Sequence, residues 1–398
     1  MKVETRKFSA AGENPSRRRT LRAIEPFVRR RWPWAPCHEL VIFAAYRAKA
    51  DNELRRERTR PMNTMRIGRL AGLVAGVSIA ASAIGVDITG AGATFPYPIY
   101  AKWADAYKKQ TGVSLYYQSI GSGGGIRQIN ANTVDFGASD KPLKPDDLAT
   151  GNLVQFPTVV GGVVPVVNLP GIASGQIRVT GAQLGDIFRG VIKKWNDPLL
   201  VKTNPGVPLP NLPITVVHRS DGSGTTFIWT TFLASKAPRW ASEVGANDAV
   251  SWPTGIGGKG NEGVAAFVKQ TPGSIGYVEY AYAKLNNLTY TQVQNKAGKF
   301  VSPTAAAFAA AAANAKWQSA PGFYLLLIDQ PGAAAWPISG ATFILLHKDQ
   351  ARGSEVLAFF DWAYKNGDAA ADQLAYVPLP AAVKDLVRKS AWSKVAKK

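Results

Sequence analysis

The run Arg219-Ser220-Asp221-Gly222-Ser223-Gly224-Thr225-Thr226-Phe227 places a guanidinium, several hydroxyls and unhindered glycine amides just before an apolar segment that reads as a helix. The first turn of a helix leaves backbone N–H groups without internal partners and carries a partial positive charge, so an anion is at home there. Arginine adds a planar fork matched to two oxygens of a tetrahedral oxyanion, and serine and threonine add hydroxyl donors. Two further turns repeat the theme, Thr89-Gly90-Ala91-Gly92-Ala93-Thr94-Phe95-Pro96 and Gly121-Ser122-Gly123-Gly124-Gly125, each leading into a helical pattern. Taken singly, each turn reads more readily as ordinary helix capping with glycine turns. Three in one chain point to convergence on one anion.

Asp140, at the end of Val134-Asp135-Phe136-Gly137-Ala138-Ser139-Asp140, is the odd member of the set. An ionised carboxylate only accepts hydrogen bonds, so beside an anion it is useful when the ligand still carries a hydrogen, as phosphate does at neutral pH and sulfate does not. The plainer alternative is a solvated aspartate at a strand end. Asp221, two residues from Arg219, either pairs with the guanidinium and holds its fork or simply forms the turn.

The elements that must position these residues alternate. Ile99–Gln110 carries Ile99, Trp103, Ala106 and Tyr107 at helical spacing and stops at Gly112, after which Val113, Leu115 and Tyr117 alternate as in a strand. Helices are expected at 126–131, 182–191, 227–235, 305–315, 354–365 and 381–389, and strands at 133–138, 214–217 and 274–280. Such alternation predicts an α/β fold with ligands beyond the carboxyl ends of the strands, where the donor turns and Asp140 fall. The apolar run Val159 to Val167 is long enough to cross between two units, although periodicity alone also allows a buried strand inside one of them.

At these residues the chain resembles the periplasmic phosphate-binding proteins of bacterial phosphate-specific ABC importers, within the two-lobed binding-protein superfamily. The resemblance runs from about Ile88 to the C-terminal region. It is carried by the first donor turn, by Tyr100-Ala101-Lys102-Trp103-Ala104-Asp105, by Asn132 to Asp140, and by Gly273-Ser274-Ile275-Gly276-Tyr277-Val278-Glu279-Tyr280. It implies type II periplasmic-binding-protein architecture: two α/β lobes joined by a hinge, with the ligand cleft between them. It further implies that phosphate is held by Ala93, Thr94 and Phe95 in the first turn, by Ser122 in the second and by Asp140, with Arg219, Ser223, Gly224 and Thr225 completing the shell and Asp221 supporting from behind. Gly123 stands where some relatives have a second serine. The outgoing hinge would be the 159–167 run and the return would lie near Trp336 to Gly340, making residues 84–160 and 338–398 lobe I and 161–337 lobe II. The implied partners are inorganic phosphate and an inner-membrane permease with its ATPase subunits, and the protein is expected to act as a monomer.

The length of 398 residues exceeds what one hydrophobic core usually holds. The net charge of +20 invites a nucleic-acid reading, but residues 1–83 carry +11 of it, and no compact Lys/Arg cluster with interleaved aromatics appears in the remaining +9. Met65-Arg66-Ile67-Gly68-Arg69 followed by the apolar stretch Leu70 to Ile84, with Ala81-Ser82-Ala83 as a small-residue cleavage site, reads as a secretory signal over 62–83. Residues 1–61, arginine-rich and ahead of that signal, are read as a non-native extension or a mis-assigned start, translation beginning at Met62 or Met65. The expected destination is the periplasm without a lipid anchor, because no cysteine follows the signal. Cys37 is the sole cysteine, which removes disulfides and thiolate metal sites from the secreted form.

Neither a cofactor nor a metal is expected. A micromolar ligand corresponds to about 8 kcal/mol, and charge-assisted hydrogen bonds contribute roughly 1.5 to 3 kcal/mol each, so a donor-rich cleft suffices. The competing classes are a binding protein for another oxyanion and a secreted phosphatase-like enzyme. Against the enzyme, Gly-x-Ser-x-Gly is missing around Ser122 and Ser223, and Gly257-Gly258-Lys259-Gly260 lacks the Ser or Thr of a P-loop. His38, His218 and His347 are scattered and read as structural.

Overall fold

A computed structural model of the chain describes residues 87–396. The expected signal segment, the arginine-rich region before it and Cys37 lie outside the described residues.

The strands are β1 (Ile88–Gly92), β2 (Leu115–Ser119), β3 (Phe136–Ser139), β4 (Leu153–Val167), β5 (Arg178–Val179), β6 (Thr215–Arg219), β7 (Ile256–Gly258), β8 (Ser274–Glu279), β9 (Thr289–Tyr290), β10 (Gln292–Gln294), β11 (Phe300–Val301), β12 (Ser339–His347) and β13 (Val377–Pro378). The main path runs β2-β1-β3-β12-β4-β8-β6-β7, and β11-β10-β5 form a separate small sheet. β1 pairs in parallel with β2 and β3, while β6 pairs in parallel with β7 and β8. These two parallel groups are the frames of two α/β lobes.

β4 joins them. Its residues 153–162 pair antiparallel with β12, and Val163–Val167 pair antiparallel with β8. The apolar run that the sequence left open is thus one strand that begins in one lobe and ends in the other, buried at every position, as expected of a strand covered on both faces. Pro157 lacks an amide for the ladder, and the register slips beside it, between Thr342 and Phe343, so the missing donor falls at a bulge. At the crossing, Gly161 and Gly162 admit close neighbours: a Cβ on Gly162 would lie 2.1 Å from the Phe308 ring, and one on Gly161 2.8 Å from the Phe95 ring.

The helices follow the expected spacing with shifted ends. α1 (Tyr97–Thr111) buries Ile99, Tyr100, Trp103 and Tyr107 and ends at Gly112, whose φ of 79° is the left-handed conformation that glycine adopts readily. α2 (Ser122–Asn130) starts four residues before the expected 126, because Gly123, Gly124 and Gly125 are helical. Glycine is a poor helix former, but tertiary packing overrides propensity here: a Cβ on Gly125 would come within 2.6 Å of the Gly92 backbone. After α3 (Pro145–Thr150), α4 (Gly181–Phe188) and α5 (Pro198–Thr203), α6 (Gly224–Lys236) begins three residues before the expected 227, capped by Ser223. α7 (Pro238–Glu243), α8 (Gly260–Gln270), α9 (Tyr280–Leu285), α10 (Ala305–Ala312), α11 (Gly353–Asn366), α12 (Asp368–Gln373) and α13 (Ala381–Ser390) complete the set.

Each lobe has an aromatic core. Tyr100, Phe136, Phe156 and Phe360 meet edge to face around α11 in the first, and Trp229 stacks on Tyr277 at 4.8 Å beside Phe188 in the second. Burying each such side chain stabilises the fold by about 1.5–3 kcal/mol, which anchors the strands whose carboxyl ends carry the polar turns. Among the described residues, no helix is long and apolar enough to cross a membrane.

Candidate ligand-binding cleft

Five turns meet where the lobes face each other, and each follows the carboxyl end of a strand. Thr94 follows β1, Ser122 follows β2 and Asp140 follows β3 in the first lobe. Arg219 ends β6 and leads into Ser223, Gly224 and Thr225 at the start of α6, while Asn261 lies in the first turn of α8, just after β7. Thr94, Ser122, Asp140, Arg219, Ser223, Thr225 and Asn261 are all at most 3% exposed. A cluster this polar and this dry must be matched internally or by a ligand.

The lobes touch through these residues. The Gly224 amide donates to Ser122 Oγ at 2.9 Å, and the Asp140 amide donates to the same oxygen at 3.2 Å. The Gly123 amide donates to Gly222 O at 3.0 Å. Asn261 donates to Thr94 Oγ1 through both its backbone N (3.2 Å) and Nδ2 (2.6 Å), and Nδ2 also reaches Thr225 Oγ1 at 3.3 Å. The Tyr282 hydroxyl donates to Thr94 O at 2.7 Å. At the rim, Lys141 Nζ pairs with Asp248 Oδ1 at 2.7 Å. Residues far apart in sequence and drawn from both lobes thus enclose one polar site.

Arg219 is held by Asp221, one of the two roles the sequence left open for that carboxylate. Its Nε donates to Asp221 Oδ1 at 2.8 Å and its Nη2 to Asp221 Oδ2 at 2.6 Å, a fork-on-fork pair. Burial works against the guanidinium charge, but the bond and charge of Asp221 outweigh it and hold the group above its ordinary pKa. Asp221 is itself kept below the usual carboxylate range: its own burial opposes ionisation, and Arg219, with the Gly260 amide donating at 3.0 Å, overcomes it. Arg219 Nη1 remains buried with no protein partner.

Asp140 is the complement. Its Oδ1 is buried with no protein partner, and its Oδ2 lies 3.5 Å from Ser122 Oγ. Burial lifts its pKa to about 7, with the Thr342 hydroxyl, Arg219 and the Ser122 hydroxyl pulling the other way. One site therefore contains a buried donor, Arg219 Nη1, without a protein partner, and a buried acceptor, Asp140 Oδ1, that the neighbouring Thr342 hydroxyl, itself unpartnered, does not meet with hydrogen-bond geometry. Ser223 Oγ accepts from the Thr226 amide at 3.0 Å as the N-cap of α6, which directs its own hydrogen elsewhere.

Ala93 differs from the other expected residues. Its amide donates to Ala138 O at 2.9 Å and its carbonyl accepts from Tyr117, so it forms wall rather than donor. The Phe95 ring is fully buried, and its carbonyl lies 2.6 Å from the Tyr376 hydroxyl. That hydroxyl is also 2.8 Å from Oε2 of Glu279, whose carboxyl is pushed well above the ordinary range by burial. His218 stacks on Trp252 at 4.7 Å, whereas His347 approaches Ile129 O at 2.8 Å and borders the groove at the rim that also holds Lys141 and Asp248. Among the described residues, no group of three or more His, Cys, Asp or Glu side chains is arranged to hold a metal ion.

Asn261, Tyr282, Glu279 and the Lys141–Asp248 pair were not singled out from the sequence. Asn261 has a sequence signal: Gly257 to Gly260 is one more glycine turn between a strand and a helix, a donor turn of the same kind even though it lacks the Ser or Thr of a P-loop.

Two α/β lobes that share one long strand and meet over a buried, donor-rich cluster of polar groups define a two-lobed solute-binding protein of type II architecture. Residues 77–366 match the model of the PBP superfamily domain. The chain is 58% identical over 296 residues to the phosphate-binding protein PstS of Pasteurella multocida, covering 74% of this chain and 86% of that one. It is 56% identical over 309 residues to PstS of Haemophilus influenzae, covering 77% and 92%. A solved high-affinity periplasmic phosphate-binding protein, PfluDING, bound with phosphate, superposes with a TM-score of 0.61 at 25% identity over 76% of this chain and 93% of that one. The chain belongs to the PstS family of phosphate-binding proteins within the PBP superfamily.

Proposed function

We propose that this protein is the substrate-binding component of a phosphate ABC import system, which captures inorganic phosphate between its lobes and is not an enzyme. The observation that carries the reading is the pairing of two unmatched buried groups in one dry site, Arg219 Nη1 as donor and Asp140 Oδ1 as acceptor. Above about pH 7, where Asp140 is ionised, phosphate presents oxygens to the first and a hydrogen to the second, whereas sulfate has no hydrogen to give.

In this reading phosphate is held by Thr94, Phe95, Ser122, Asp140, Arg219, Ser223, Gly224 and Thr225, with Ala93 shaping the wall and Asp221 steadying the guanidinium. Ser122 Oγ and the Gly224 amide satisfy each other at 2.9 Å, and a phosphate oxygen between them exchanges that bond for one to each. Residues 84–160 and 338–398 form lobe I and 161–337 lobe II. Binding drives closure because only the closed pair offers the anion both sets of partners. The protein works as a monomer in the periplasm, exported through a cleaved signal at 62–83, and hands phosphate to an inner-membrane permease with its ATPase subunits.

Calorimetric titration of the purified secreted form with phosphate, in the presence and absence of excess sulfate, tests the reading. Stoichiometric binding that sulfate does not displace is expected. Displacement by sulfate would move the protein to another oxyanion, and turnover of a phosphate ester would make it an enzyme.

A further inference from the structure

The side-chain amide of Asn261 has a defined orientation. The Glu279 backbone N–H approaches Asn261 Oδ1 at 2.9 Å, and since an N–H can be met only by an acceptor, Nδ2 must face the other way. Its two hydrogens go to Thr94 Oγ1 at 2.6 Å and to Thr225 Oγ1 at 3.3 Å, and the Asn261 backbone N–H adds a second bond to Thr94 Oγ1 at 3.2 Å. A threonine hydroxyl has two lone pairs and one hydrogen. Both lone pairs of Thr94 are taken by Asn261, so all that is left to this hydroxyl is to donate. Thr225 is biased the same way by one bond.

We propose that Asn261 is a positioning residue that commits the hydroxyls of Thr94 and Thr225 as hydrogen-bond donors to the bound oxyanion. Because Thr94 belongs to the opposite lobe, that hydroxyl is committed only on closure. The inference rests on the phosphate reading and sharpens it. A hydroxyl free to rotate could accept the ligand's hydrogen, which would give the anion more than one register. With Thr94 and Thr225 set as donors, that hydrogen is directed to Asp140, so Asn261 contributes to specificity without touching phosphate.

The test is a double-mutant cycle on the secreted protein, with inorganic phosphate as the probe, using Asn261→Ala, Thr94→Val and the double variant. Each single change should weaken binding about tenfold to hundredfold, seen mainly as faster dissociation, since the contact exists only after closure. If Asn261 acts through the Thr94 hydroxyl, the double variant binds within about threefold of the weaker single variant. Losses that multiply overturn the inference while leaving phosphate binding by the unmodified protein intact. Because the Asn261–Thr94 bonds also join the lobes, phosphate–sulfate competition is run on Asn261→Ala as well. A narrowed preference for phosphate is expected there; an unchanged preference makes Asn261 a lobe clamp only and overturns the inference. Failure of the unmodified protein to bind phosphate removes the underlying reading and this inference with it. Melting of each variant without phosphate checks folding; should Asn261→Ala melt early, Asn261→Ser takes its place in the same cycle.

Discussion

The backbone amide of Gly224 donates to Ser122 Oγ at 2.9 Å, tying the first turn of α6 in one lobe to the first turn of α2 in the other. Contact this close is possible because residue 224 has no side chain. A Cβ there would lie 2.6 Å from Ser122 Oγ, 2.6 Å from Asp140 Cβ and 2.7 Å from the Asp140 amide nitrogen, all in the facing lobe.

Gly224→Ala should therefore block closure without unfolding the protein. The helix itself favours alanine by up to about 1 kcal/mol, so the melting temperature without phosphate should hold or rise slightly. The rise in melting temperature that phosphate produces in the parent should largely disappear, and small-angle scattering should give the same radius of gyration with and without phosphate. Compaction of the variant on adding phosphate would show that the lobes tolerate the methyl group.

Burial lifts Asp140 to about 7, so the ligand-free folded protein keeps a proton that the unfolded chain releases near pH 4. The linked stability is fully present below about pH 4 and is lost as pH rises through 7, a change of up to about 4 kcal/mol. Glu279, also raised by burial, adds a change of the same sign. Melting of the phosphate-free protein should fall between about pH 4 and pH 7, and Asp140→Asn should flatten part of that slope. Equal slopes in parent and variant would place the titrating proton elsewhere. The same variant should narrow the preference for phosphate over sulfate in competition calorimetry.

Arg219 presents Nη1 to the site only because Asp221 grips Nε and Nη2. Arg219→Lys keeps a charge but loses the planar fork, and phosphate affinity should drop about tenfold to hundredfold. Asp221→Asn should cost less, because the guanidinium survives with a looser hold. Unchanged phosphate affinity in Arg219→Lys, measured by calorimetry, would remove the arginine from the site.

The Lys141–Asp248 pair crosses between the lobes at the rim, with side chains 31% and 20% exposed. Partly solvated pairs of this kind contribute about 0–1 kcal/mol. Lys141→Ala should weaken phosphate binding by less than about fivefold, and the difference from the parent should shrink in high salt. A loss as large as that of Arg219→Lys would mean that Lys141 reaches the anion.

The chemistry of the site was legible because it resides in residue types that stand at turns. Arg219, Ser122, Thr94 and Asp140 each sit beside a glycine or at a strand end, and the bidentate partner of Arg219 was two residues away. Helix starts were less legible: the sequence reading began α2 at 126 because glycine runs disfavour helix, whereas packing of Gly125 against β1 makes those residues helical. Ala93 shows the opposite limit. It stands in the first donor turn, but its amide is engaged by Ala138 O in the sheet, which no local pattern reveals.

By itself the sequence determined the α/β alternation, the donor-rich turns and a lone carboxylate among them, because backbone geometry and side-chain hydrogen-bonding capacity are local properties. Only the tertiary structure decided that β4 runs through both lobes, that Ser122 meets Gly224, and that Asn261 reaches Thr94 across 167 positions of sequence. The reason is physical: a hydrogen bond depends on distance and direction within a few tenths of an ångström, and those are set by how the two lobes are brought face to face.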